Sequence, residues 1–291
     1  MNRKRLILHI GMHKTGSTTI QRFFARNRWL LRRLGICYPE SRGIDGRLLP
    51  KHNAIFSAIS HQADKGEVHP QLGPVADLVM DAADQINRSP GRVGVISAEG
   101  FSGERPVFAR ALAPLASEFD VSVVILLRRR DLWVESFYKQ MVLNQDVREA
   151  RPFAEFLSAP STVRHMNYLR ILSWWSDAFG PEAINVGVFE PDRSTETLVR
   201  QFLKLADLPL QLSLLPYATG HTNPSLSAEA ASLIRFANSK GMVLPKDVKS
   251  RLEVTLPEQS PYFFTLAQRL ALNSRYQADD EGILNTFLDP D

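Results

Sequence analysis

Nine residues near the start of the chain, Gly11-Met12-His13-Lys14-Thr15-Gly16-Ser17-Thr18-Thr19, have the types and order that anion chemistry uses. The apolar run Leu6-Ile7-Leu8-His9-Ile10 leads into them, and a helical pattern starts at Thr18. A strand passing through a glycine loop into a helix N-terminus points successive backbone N–H groups at one spot, and the helix dipole adds partial positive charge there. The spacing G-x-x-x-x-G is that of a nucleotide-phosphate loop, but such a loop continues with Lys and then Ser or Thr. Here Ser17 follows Gly16, and the lysine, Lys14, stands inside the loop. From that place it reaches over the terminal group of a shorter anhydride, not over a γ-phosphate.

A second constellation is Leu126-Leu127-Arg128-Arg129-Arg130-Asp131-Leu132-Trp133-Val134-Glu135-Ser136. Arg128 leaves the carboxyl end of a long apolar strand, the place where open α/β sheets bind ligands. Ser136 lies eight residues on, early in the next helix. An Arg fork and a Ser hydroxyl together suit a phosphate. Alone, the arginine run also fits a solvated charge cluster, or a helix start with Asp131 near its N-terminus. Paired with the first loop, it reads as a second anion pocket.

With both motifs in hand, the sequence resembles the sulfotransferases that use 3′-phosphoadenosine 5′-phosphosulfate (PAPS), particularly their bacterial soluble branch. His13-Lys14-Thr15-Gly16-Ser17-Thr18-Thr19 is similar to that family's 5′-phosphosulfate loop, and Arg128 with Ser136 to its 3′-phosphate site. Weaker similarity runs through Phe179-Gly180, the strand ending at Val188 and the helix to Ala206. Arg129 and Arg130 replace the Asn/Asp-Pro pair often found after the matching Arg, so either is a further candidate for the phosphate. The resemblance implies sulfuryl transfer from PAPS to a hydroxyl or amine acceptor, with carbohydrate and lipid-linked acceptors among those that fit, leaving 3′,5′-ADP. Lys14 would stabilise the leaving phosphate, and no metal is required.

Such a reaction needs a base, which the family places near the end of the corresponding strand. Glu99, in Ile96-Ser97-Ala98-Glu99-Gly100, is the matching carboxylate. A strand-end glutamate bonded to a loop fits the same pattern, and His52 and His13 are rival bases. A weaker feature is His221-Thr222-Asn223-Pro224-Ser225-Leu226-Ser227, where the resemblance implies a loop over the nucleotide with Asn223 and Ser225 facing it. Ser227 also reads simply as a helix N-cap.

The elements that must position these groups follow from the pattern. Val93–Ile96, Val121–Leu127 and Ile184–Val188 are apolar and rich in β-branched residues, as in a parallel sheet covered on both faces. Helices are expected from Thr18 to Leu34, near Asn53–Ile59, over Val75–Ile86, after Leu127 with Val134, Phe137, Tyr138 and Met141 on one side, over Asn167–Phe179, and from Ser194 to Ala206. The four tryptophans, Trp29, Trp133, Trp174 and Trp175, read as packing residues. The expected fold is α/β: a P-loop NTPase-like three-layer sandwich with a central parallel sheet over residues 1–207, and a helical C-terminal extension, 208–291, packed on it.

Composition narrows the class. The chain has 291 residues, 44% hydrophobic and 23% charged, which excludes collagen-like, disordered and coiled-coil readings. One cysteine, Cys37, permits no internal disulfide. No apolar run approaches the roughly 18 residues of a membrane span, and the apolar stretch at the N-terminus is too short for a signal peptide, so a cytoplasmic protein is expected. Net charge is +4. Residues 1–50 hold 11 Lys/Arg against 2 Asp/Glu, a charge of +9 that favours an anionic partner. The arginines Arg22, Arg26, Arg32 and Arg33 lie away from the apolar helical stripe, as on a solvated face. A small-molecule kinase using ATP is the alternative enzyme, opposed by the missing lysine after Gly16. A nucleic-acid binder finds no recognisable module here.

Overall fold

The structure is a computed structural model that describes residues 3–190, 194–215, 226–245, 247–248, 251–252 and 262–288. The chain divides into two compact units. The first comprises Met1–Leu127, Tyr168–Gly220 and Glu281–Asp291; the second comprises Arg128–Asn167 and His221–Asp280. The boundary expected at residue 207 is thereby replaced: each unit is assembled from separated stretches of chain.

The first unit is built on five parallel strands: β1 (Lys4–Gly11), β2 (Ile36–Cys37), β5 (Val93–Ser97), β6 (Phe119–Leu127) and β7 (Ile184–Val188). Their order is β2-β5-β1-β6-β7. A short antiparallel pair, β3 (Ser41–Arg42) and β4 (Leu48–Leu49), stands apart from the sheet. The expected α/β class with a central parallel sheet is what the chain forms. Connections from β1 go first to one side of it and then, after β5, to the other. This makes β1 the switch point, where the carboxyl ends of an open sheet leave a crevice. Its run Leu6–Ile10 is wholly buried, as central strands covered on both faces must be. The β1–β6 register shifts between His9 and Gly11, so β1 bulges just before the glycine loop.

The helices of this unit are α1 (Ser17–Arg26), α2 (Arg28–Arg33), α3 (Asn53–Lys65), α4 (Val75–Arg88), α5 (Val107–Leu112), α9 (Tyr168–Phe179) and α10 (Thr195–Leu205). The single helix expected over Thr18–Leu34 is therefore two. Asn27 interrupts it: its side chain is buried, and its Nδ2 donates to the Phe23 carbonyl at 2.8 Å. The helix expected near Asn53–Ile59 continues to Lys65 and ends where Gly66 turns left-handed at φ 74°. Ile20, Phe23 and Phe24 of α1 pack with Leu198 and Phe202 of α10 over Ile7, Val124 and Leu126 of the sheet. Each such fully buried side chain contributes on the order of 2–3 kcal/mol. Ser194 caps α10 as expected, accepting from the Thr197 N–H.

The second unit contains α6 (Arg130–Leu143), α7 (Phe153–Ser158), α8 (Pro160–Met166), α11 (Ala228–Ser239) and α12 (Leu266–Arg275). The last helix, α13 (Gln277–Phe287), begins in this unit and ends in the first. Helix α6 was expected to bury one apolar side, but it also buries Arg130, Asp131, Glu135 and Lys139. Ser227 caps α11, accepting from the Ala230 N–H. The Asn223 and Ser225 expectation falls outside the described residues. Trp133 and Trp175 are buried and Trp174 is half-buried, but Trp29 is 63% exposed, so the packing role expected for it does not hold. Among the described residues, no helix is long and apolar enough to cross a membrane.

Candidate functional site

The loop from β1 to α1 takes its shape from three residues with positive φ: Gly11 at 118°, Lys14 at 65° and Gly16 at 78°. A Cβ on Gly11 would lie 2.7 Å from the Glu99 carbonyl oxygen, and one on Gly16 would lie 2.3 Å from Leu198 Cδ2. At Gly11 the clash is with backbone and excludes a side chain sterically, at Gly16 Leu198 would have to move, and at both the positive φ disfavours any other residue. Two hydroxyls brace the loop from within. Thr15 Oγ1 donates to the Met12 carbonyl at 2.8 Å, and Ser17 Oγ donates to the same oxygen at 2.9 Å. Both side chains are buried. Thr15 and Ser17 thus serve the loop through their hydroxyls and leave only their N–H groups for a ligand.

Those N–H groups define the site. Among the described residues, the backbone N–H groups of Thr15, Gly16, Ser17 and Thr18 donate to no protein acceptor, whereas Thr19 N–H bonds the Gly16 carbonyl at 2.9 Å. The first turn of any helix carries such unpaired donors. Here the series begins two residues before α1, at Thr15, and the first turn of α1 has no acidic residue. Lys14 and His13 are half-buried beside it. Successive unpaired N–H donors beside a lysine are the chemical makings of an oxyanion receptor.

Glu99 opens a short 3₁₀ turn, Glu99–Ser102, directly after β5. Its two carboxylate oxygens face different basic side chains. Oε1 lies 3.4 Å from Lys51 Nζ, and Oε2 lies 3.9 Å from His13 Nδ1. The side chain is 20% exposed, so solvent reaches it. The structure therefore brings Glu99 to the loop, as a base there requires. Lys51 was not singled out by sequence. It lies 48 positions from Glu99, and its only local signal is its place next to His52.

His52 is placed differently. It is 1% exposed, and both ring nitrogens are engaged by backbone. The Ser97 N–H donates to Nδ1 at 3.0 Å, and Nε2 sits 3.1 Å from the Pro39 carbonyl, so the proton is on Nε2. Burial lowers its pKa to about 4. A ring with its only basic nitrogen already occupied has no lone pair for an acceptor proton. His52 is a tie between the Pro39 segment and the end of β5, and its candidacy as a base is withdrawn. His9, beneath the loop, is also held neutral by burial, with a pKa of about 4. Its Nδ1 lies 2.7 Å from Ser97 Oγ, which also accepts from Gln21 Nε2 at 3.2 Å.

Arg128 and Ser136 belong to the second unit. Arg128 follows β6 directly and Ser136 sits in the second turn of α6, both half-buried. Their neighbours Arg129 and Arg130 are engaged within the unit. Arg129 makes a two-pronged pair with Asp131, with Nε to Oδ1 at 2.7 Å. Arg130 donates to the Met166 carbonyl at 2.7 Å and pairs with Asp279 and Asp280. Its guanidinium stacks on Tyr276 at 4.7 Å. Arg130 is therefore removed as a phosphate ligand, and Arg129 is balanced by a carboxylate of its own.

Asp131 is fully buried and also accepts from Arg269 at 2.6 Å. Burial alone would raise its carboxyl, but the hydrogen bonds from Arg129 and Arg269 hold it below the ordinary range. Glu135 accepts from Arg269 at 3.0 Å and from the Phe263 and Phe264 N–H groups at 2.6 and 2.9 Å. One turn on, Lys139 is 5% exposed, and burial draws its ammonium down to about 8 against the pull of Glu135. The sequence offered no sign of this charged core, because its halves are over a hundred residues apart.

No family model matches the chain. An uncharacterized protein of Archaeoglobus fulgidus is 27% identical over 175 residues, which cover 57% of this chain and 45% of that protein, under half its length. The chain is similar in fold to a sulfotransferase from Alicyclobacillus acidocaldarius, with 18% identity, a TM-score of 0.46, and coverage of 82% of this chain and 96% of that one. It is similar as well to the sulfotransferase domain from the curacin biosynthetic pathway, with 14% identity, a TM-score of 0.41, and coverage of 90% and 99%. A third similar structure is mouse sulfotransferase SULT7A1 complexed with PAP, with 10% identity, a TM-score of 0.44, and coverage of 98% and 88%.

Proposed function

We propose that this chain is a sulfotransferase that moves a sulfuryl group from PAPS to a hydroxyl or amine of an acceptor. The observation that carries the reading is the run of four undonated N–H groups, Thr15 to Thr18, set beside Lys14 with Glu99 against His13. The donor set fits the 5′-phosphosulfate of PAPS: neutral N–H groups and one lysine suit an anion of modest charge, without the added helix-start lysine that a triphosphate loop has. Bound there, PAPS would supply a sulfuryl group on a phosphate leaving group. The loop amides and Lys14 hold that phosphate and meet the charge that grows on its bridging oxygen. Glu99 takes the acceptor proton at a carboxylate oxygen, with Lys51 fixing its orientation. Within the second unit, Arg128 and Ser136 keep the residue types expected of a 3′-phosphate contact.

The ATP-kinase alternative is weakened by Ser17. It stands where a triphosphate loop has its lysine, and its buried hydroxyl is turned to the Met12 carbonyl. The deciding experiment is calorimetric titration with 3′,5′-ADP, AMP and ATP. Strong preference for 3′,5′-ADP is expected, with a loss of about 1.5–3 kcal/mol in Arg128→Ala, as for a charged hydrogen bond. Equal affinity for AMP and 3′,5′-ADP, or magnesium-dependent ATP turnover, would overturn the reading.

A further inference from the structure

Between Gly16 and Ile36 the chain carries five arginines, Arg22, Arg26, Arg28, Arg32 and Arg33, and no Asp or Glu. Arg28 turns inward, its Nε donating to the Tyr38 carbonyl at 2.9 Å. The other four are exposed. Among the described residues none of them has a carboxylate within ion-pair distance. Two large apolar side chains lie among them, Trp29 at 63% and Leu34 at 50% exposure.

Positions 22, 26, 29 and 33 are separated by four, three and four residues, the spacing of one helical stripe. The Asn27 N–H bonds the Phe23 carbonyl and the Leu31 N–H bonds the Asn27 carbonyl, so this stripe continues across the α1–α2 break. The Arg33 guanidinium lies over the Trp29 ring at 4.2 Å.

We propose that the outer surface of α1 and α2 docks on an anionic lipid bilayer. Four exposed guanidinium groups supply attraction to anionic headgroups: Arg22, Arg26 and Arg33 lie along the stripe with the Trp29 indole, and Arg32 and Leu34 are exposed beside its end. A bilayer interface satisfies both kinds of group: phosphates take the guanidinium groups, and the headgroup–acyl boundary takes Trp29 and Leu34. A nucleic acid would use the charges alone. It gains little from Leu34, and Arg33 covers one face of the only exposed indole, which blocks stacking there. The stripe begins at Arg22, about 8 Å along α1 from Ser17, and runs away from the glycine loop into α2. Docking therefore leaves the loop amides untouched.

The test is co-sedimentation of the full chain with phosphatidylcholine vesicles and with vesicles containing phosphatidylglycerol, followed in parallel by tryptophan emission. Binding to the anionic vesicles alone is expected, with a blue shift that disappears in Trp29→Phe. Arg32→Gln with Arg33→Gln should weaken vesicle binding roughly 30-fold, from about a fivefold loss per cation. Thermal melting of each variant establishes that it is folded. The proposal is overturned by no binding to either vesicle, by equal binding to both, by unchanged binding in the double variant, or by tighter binding to duplex DNA than to vesicles without an emission shift.

Discussion

Acidification from pH 7 to pH 5 tests the placement of His52 and His9 with a magnitude that the structure supplies. Both rings are buried and neutral, with pKa values of about 4 in the fold against 6.5 unfolded. Below pH 6.5 the unfolded chain takes up protons that the fold refuses, so stability is present above pH 6.5 and is lost as pH falls toward 4. Each ring then removes about 2 kcal/mol between pH 7 and pH 5, and the pair about 4 kcal/mol. The assay is urea denaturation at the two pH values for the wild type and for His52→Asn, whose Oδ1 still accepts from the Ser97 N–H. Asn carries no titratable ring, so the variant should start less stable but lose about 2 kcal/mol less on acidification. Histidine NMR provides the independent check, with the His52 ring silent until well below pH 6. An ordinary titration near 6.5, or an unchanged acid sensitivity in the variant, would refute the burial argument and reopen His52 as a base.

The remaining predictions concern the loop, the carboxylate and the charged core. Lys14→Ala should lower kcat on the order of 100-fold in a sulfuryl-transfer assay with the fold intact, as for one lost charge-stabilising donor; near-normal turnover would remove Lys14 from the chemistry. Glu99→Gln should lower kcat roughly 100- to 10,000-fold while 3′,5′-ADP affinity stays near wild type, because a general base acts on the acceptor and not on the donor. Gly16→Ala forces an L-residue to φ 78° against Leu198, and should cost about 1–3 kcal/mol in a melting experiment and impair 3′,5′-ADP binding. Arg269→Met leaves Glu135 buried without its cation and Asp131 with only Arg129; a loss of about 3–5 kcal/mol is expected by denaturation, partly recovered in Arg269→Lys.

What could be read before the structure was what local chain order encodes. The glycine loop is nine consecutive residues between a strand and a helix, and its conformation follows from Gly11, Lys14 and Gly16 within that span. The strands at Val93 and Val121 were readable because inner parallel strands are apolar on both faces, and the edge strand at Ile184 because its β-branched residues alternate toward the core. His52 was misjudged because its two partners, Ser97 and Pro39, come from other segments, and nothing in Lys51-His52-Asn53 shows that both ring nitrogens are occupied. Lys51 was missed for the same reason in reverse: its value lies in Glu99, 48 residues on. Arg130 looked like a second phosphate ligand because its carboxylates, Asp279 and Asp280, stand about 150 positions later. Asn27, too, breaks a helix by a side-chain bond that periodicity does not reveal.

The interleaving of the two units has a consequence for how the polypeptide can be cut and made. Strand β7 is synthesised only after Arg128–Asn167 has emerged, and that segment must wait for His221–Asp280 to complete its unit. A truncation after residue 207 would not release a free-standing domain; it would leave α6 with Arg130 deprived of Asp279 and Asp280, Glu135 deprived of Arg269, and Asp131 with Arg129 alone. On the ribosome, the sheet can close around the glycine loop well before Arg128 acquires its surroundings.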